Sequence, residues 1–78
     1  MISSSLTARA ALLETARMIE EAGEGRKAAL ITARVRISYE TTQNLRRFMV
    51  WALRRPMNDT MIGLCELIDS ELCKRFNK

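Results

Sequence analysis

The chain has 78 residues, 47% of them apolar, and its 13 basic and 9 acidic groups give a formal net charge of +4. That composition excludes intrinsic disorder, and the length limits the chain to one small domain with a marginal core of its own. No run between charged residues exceeds eight, the longest being residues 1–8, which excludes a transmembrane span.

The first five residues, Met-Ile-Ser-Ser-Ser, read as a frayed end with a serine available as N-cap. They carry neither the basic nor the long apolar region of a secretory signal, so the expected compartment is the cytoplasm. Residues 6–22 are rich in strong helix formers and lack Gly and Pro, which predicts an N-terminal helix. Its apolar stripe is broad: Leu6, Ala10, Leu13 and Ala16 share a face that Arg9 and Arg17 also reach, and Leu12 and Ile19 sit beside it. The helix is expected to dock on Val50, Trp51 and Leu53, or to join copies of the chain into a higher order, rather than to build a core by itself. Gly23-Glu24-Gly25 then forms a stop and a joint, dividing the chain into an N-terminal helix over 1–25 and a second unit over 26–78.

In residues 30–38, Thr32, Arg34 and Arg36 alternate with Ala33, Val35 and Ile37, a period of two that predicts a β-strand. A lone strand needs a ladder partner, and the simplest one is the same strand of a second copy. The alternative is a helix from Arg26 through Arg36, which Lys27-Ala-Ala-Leu favours. Next, Ser38 or Thr41 can cap a helix reaching about Arg54, with Leu45, Phe48, Met49 and Ala52 on its core face. Pro56 separates it from a last helix, in which Met57, Met61, Leu64, Cys65, Ile68 and Leu72 recur at helical spacing.

Catalysis is not expected. Without histidine there is no Ser-His or Cys-His pair, and no glycine-rich phosphate loop occurs. Cys65 and Cys73 on one helix stand about 12 Å apart along its axis, too far for a disulfide. Two thiols alone cannot complete a zinc site in a single chain. They read as free thiols, and neither a metal nor another cofactor is implied. A second copy of the chain is then the expected source of additional stability.

The charge is unevenly spread. Residues 31–56 carry Arg34, Arg36, Arg46, Arg47, Arg54 and Arg55 against Glu40 alone, a net of +5, whereas the flanking segments are near neutral. An all-arginine excess confined to a third of the chain is the footprint of phosphate or base-edge contact, because guanidinium forks match both bidentately.

Residues 30–75, through VRISYETTQNLRRFM and RPMNDTMIGLCELI, resemble the ribbon-helix-helix (Arc/MetJ-like) DNA-binding repressors. The resemblance implies a mainly α fold in which one short strand pairs antiparallel with that of a second chain, followed by two helices. It makes Thr32, Arg34 and Arg36 the base-contacting residues of a ribbon in the major groove. Arg54, Arg55, Met57 and Asn58 become the phosphate contacts, and Val35, Ile37, Leu45, Phe48, Met49, Ile62, Cys65 and Ile68 the intertwined dimer core. The implied function is that of a homodimer binding double-stranded DNA at inverted repeats, as a small transcriptional repressor, an autoregulator or a plasmid partition or transfer accessory protein. On DNA, the N-terminal helix could then join such dimers into a higher order. The alternative is an all-helical protein-interaction module, such as a small chaperone, inhibitor or antitoxin.

Overall fold

The computed structural model describes residues 4–77, with side chains over 8–77. Helix α1 runs Ser4–Glu21, a 3-10 turn follows at Gly23–Gly25, and then come α2 (Arg26–Tyr39), α3 (Thr42–Leu53) and α4 (Asp59–Phe76). No strand occurs among the described residues. No helix among them is long and apolar enough to cross a membrane.

α1 buries Ala8, Leu12, Thr15, Ala16 and Ile19, a stripe rotated from the one its composition suggests, and Ala10 lies exposed. The side chain of Leu6 lies outside the described set. Thr15 belongs to this buried stripe because its hydroxyl is satisfied: it donates to the Ala11 carbonyl at 2.9 Å and accepts from Arg36 Nη1 at 3.4 Å. The helix ends where Gly23 takes a φ of 54°, a left-handed conformation that favours glycine.

The ribbon-helix-helix fold is overturned at α2. Residues 26–39 form a continuous helix, the alternative that Lys27-Ala-Ala-Leu favours, so no ribbon exists to pair with a second chain. The physical reason lies in two periods that coincide at some positions and part at others. Ala29, Ala33 and Ile37, each four apart, face one side in both readings and are buried. Val35 separates the two: inward on a strand, it stands about 200° from its neighbours on a helix and is 49% exposed. Thr32 takes no cross-strand role, and its hydroxyl donates to the Ala28 carbonyl one turn back at 3.2 Å.

α3 starts at Thr41, whose Oγ1 accepts from the Asn44 N–H at 3.1 Å, and α4 starts at Asn58, whose Oδ1 accepts from the Met61 N–H at 2.9 Å. Asp59 in the first turn of α4 and Lys74 and Arg75 in its last turn suit the helix dipole. One buried cluster takes residues from all four helices, including Leu12, Ile37, Leu45, Phe48, Leu64 and Ile68. The radius of gyration of 12.1 Å is close to the ~11.5 Å of a compact chain this long. A single copy therefore encloses its own core. Ile37, Leu45, Phe48, Cys65 and Ile68, assigned by the resemblance to an intertwined dimer, are buried within one chain, with Met49 packed at the edge. Ile62, like Val35, stays exposed. Burial pushes the Cys65 thiol above its ordinary pKa, whereas Cys73 is an exposed free thiol.

This packing predicts an asymmetry that a strand would not show. Ile37→Ala is expected to lose about 2–5 kcal/mol in urea unfolding, and Val35→Ala to stay within about 0.5 kcal/mol of the parent. A large loss at Val35 that does not depend on protein concentration would show that this side chain is buried within one chain.

Candidate nucleic-acid interface

The inward face of α3 determines its outward one. With Leu45, Phe48 and Ala52 buried, the opposite side of the helix presents Gln43, Arg47, Val50 and Arg54 at i, i+4, i+7 and i+11. Thr42 and Arg46 flank this row on one side, Trp51 and Arg55 on the other. The eight residues line an open groove of about 740 Å³, and none of them is acidic.

Four of the eight are exposed arginines. The ion pairs among the described residues join Arg17 to Glu14 and Glu21, and Arg75 to Glu71. None reaches the groove, so among the described residues Arg46, Arg47, Arg54 and Arg55 have no carboxylate within 4 Å. Their mutual repulsion is relieved only by solvent and mobile anions, which makes a polyanion a favourable neighbour.

Aromatic rings position the two rims. Arg55 stacks over Trp51 at 4.5 Å, and Arg9 of α1 approaches the same ring at 5.0 Å. The indole is itself backed by Phe48, with ring centroids 5.7 Å apart. On the other rim, Arg46 lies 5.6 Å from the Phe76 ring at the end of α4.

The proposed base readers are not brought together. Successive alternate residues on a helix stand about 200° apart, so Arg34 faces away from Thr32 and Arg36. Arg36 turns towards α1 to reach Thr15, and Arg34 lines a separate groove with Glu71 and Lys74. Of the expected phosphate contacts, Arg54 and Arg55 sit in the α3 groove. Met57 packs against the core cluster. Asn58 caps α4 and donates to Glu20 Oε2 at 3.4 Å, which places a carboxylate beside that helix start. α1 does meet Trp51, through Arg9, but Val50 and Leu53 remain exposed. Arg9 and Gln43 escape the sequence-based assignment, and Arg46 and Arg47 enter it only within the arginine excess, without a contact of their own. The signal for Gln43 and Arg47 was their position opposite Leu45, Phe48 and Ala52, with Arg46 beside them.

The direction of α3 is set at its junction with α2. Arg75 of α4 is held by Glu71, its Nε donating to Oε2 at 2.8 Å. Its Nη1 donates to Thr42 Oγ1 at 3.0 Å, and its Nη2 to the carbonyls of Ser38 at 3.1 Å and Ile37 at 3.5 Å. One guanidinium thus closes the end of α2 and the first turn of α3 together.

No protein-family model matches the chain, and neither the curated proteins nor the solved structures compared with it contain a significant match.

Removing the Arg75 fork would leave carbonyls of the α2 terminus without this donor. Arg75→Ala is expected to destabilise the fold by about 1–3 kcal/mol, and Arg75→Lys, a point donor, to recover only part of that. Urea unfolding of both variants checks it; an unchanged midpoint for Arg75→Ala would show that the junction closes without the fork.

Proposed function

We propose that the chain is a DNA-binding protein whose contact surface is the outward face of α3. The observation that carries this reading is the groove itself, with four exposed arginines and no acidic lining residue on one side of one helix. An α-helix with its side chains is about 10–12 Å across and fits a major groove about 12 Å wide. Duplex is favoured over single strands because Trp51, the ring on which an unpaired base would stack, already carries Arg9 and Arg55. Repression, autoregulation and a partition or transfer accessory role all use this chemistry.

A second copy is proposed on a different face. Ile31, Val35 and Tyr39 form an exposed apolar row along α2, flanked by Lys27 and Arg34. The exposed side of α4 carries Ile62 with Asp59, Glu66 and Asp69. The two faces are opposite in charge and each carries exposed apolar side chains, Ile31, Val35 and Tyr39 on α2 and Ile62 on α4, so a two-fold dimer can pair each α2 with the partner's α4 and leave α3 free. The apolar row also favours a second reading, an all-helical protein-interaction module, under which duplex DNA would not bind.

Two measurements separate these. Binding to a random-sequence duplex should fall about 150-fold between 50 and 200 mM salt if four phosphates are contacted. Arg46→Ala or Arg55→Ala should each lower the slope of log affinity against log salt by about one, and Arg17→Ala, outside the groove, should leave it unchanged. Equal slopes in all variants would remove the groove from the interface. In sedimentation, Val35→Arg should convert dimers to monomers without unfolding; an unaltered dimer would place the contact elsewhere.

A further inference from the structure

The residues of the α3 face divide into two groups by what already engages them. Arg46 and Arg55 rest on Phe76 and Trp51 at the rims. Between them, Gln43, Arg47 and Val50 run along the crest of the helix, with Arg54 at its C-terminal end. Neither Gln43 nor Arg47 takes part in the side-chain hydrogen bonds, ion pairs or ring contacts of the described residues. Val50 is 56% exposed on a face that buries nothing.

We infer that this crest reads base edges in the major groove: Arg47 a guanine, Gln43 an adenine and Val50 a thymine methyl, with the rim arginines holding phosphates. The inference rests on the DNA-binding reading above and adds sequence specificity to it. The chemistry of each side chain points to its base. A guanidinium fork donates twice to guanine O6 and N7, a carboxamide both donates and accepts at adenine N7 and N6, and an apolar side chain fits the thymine C5-methyl. Spacing agrees with base-pair geometry. Gln43 and Arg47 are separated by about 6 Å along the helix axis and Arg47 and Val50 by about 4.5 Å. Against a rise of about 3.4 Å per base pair, these correspond to roughly two steps and one step along the groove.

The rims suit the complementary task. A guanidinium stacked on a ring keeps its outer N–H groups available while its position is fixed, as a phosphate contact requires. A side chain free to extend is better suited to following a base edge.

The experiment is selection from randomised duplex DNA with the full chain and with Gln43→Ala, Arg47→Lys and Arg46→Ala, followed by affinity measurements on the selected site and on unselected duplex. The parent is expected to enrich a short motif holding a guanine and an adenine about two steps apart. Arg47→Lys, which keeps the charge but not the fork, should relax preference at the guanine alone, and Gln43→Ala at the adenine alone. Each should lose about 5- to 150-fold in discrimination at its position. Arg46→Ala should instead weaken binding to every sequence about equally. A motif unchanged in both crest variants, or salt-dependent binding with no motif, would overturn base reading while leaving DNA binding intact. Absence of binding to any duplex would overturn both.

Discussion

The arginine groove exists because α3 points where it does, and that direction depends on closing the turn between α2 and α3 with only Glu40 and Thr41 outside the helices. Such a turn leaves the last carbonyls of α2 and the first N–H groups of α3 without intrahelical partners. Thr41 answers one end through Asn44, and Arg75, arriving from the far end of the chain, answers the other through Ile37 and Ser38. The same guanidinium holds Thr42, the first residue of α3, and is itself aligned by Glu71. Charge-assisted bonds of this kind are individually stronger than neutral ones and impose a fixed geometry. The end of α4 therefore orients the helix on whose rim its own Phe76 meets Arg46.

The features that could be read from the sequence were those decided locally. Gly23 stops α1, Thr41 starts α3, and Pro56 lies between α3 and α4, each for a reason within a few residues, whereas Asn58, the cap of α4, reads from the resemblance as a phosphate contact instead. What failed was the assignment over 30–38, where two periods share Ala33 and Ile37. The contest turned on Val35, and its exposure is decided by neighbours that local spacing does not specify. The ribbon then misled the reading of the side chains around it. A period of two puts Thr32, Arg34 and Arg36 on one face; a helix sends Arg34 towards α4 and Arg36 towards Thr15 of α1. Thr15 was itself hidden from a purely hydrophobic count, since its burial depends on partners at Ala11 and Arg36.

The arginine excess between residues 31 and 56 was legible as a sum, but its function depends on how the fold divides it. Arg36 becomes a structural hydrogen-bond donor, Arg34 joins a mixed-charge groove beside Glu71, and the remaining four gather on α3. Glu40 accepts from Asn44 at the start of α3, and other acidic residues engage partners away from the groove or face solvent. Glu14 and Glu21 flank Arg17 on α1, Glu71 binds Arg75, and Glu66 and Asp69 face solvent on α4. A chain of only +4 overall can thus present a concentrated positive field on one side.

That separation also bears on self-association. If copies met through their α3 faces, eight unpaired arginines would converge, a cost that rises as salt falls. The proposed pairing of α2 with a partner's α4 would have the opposite sign, because Lys27 and Arg34 would approach Asp59, Glu66 and Asp69. In the proposed dimer, the charge pattern would place the second copy on the side of the molecule that leaves the groove open. Binding of DNA at α3 would neutralise the remaining positive field and make the approach of two copies easier still. Self-association and DNA binding would then reinforce each other, by linkage, without either surface having to change shape.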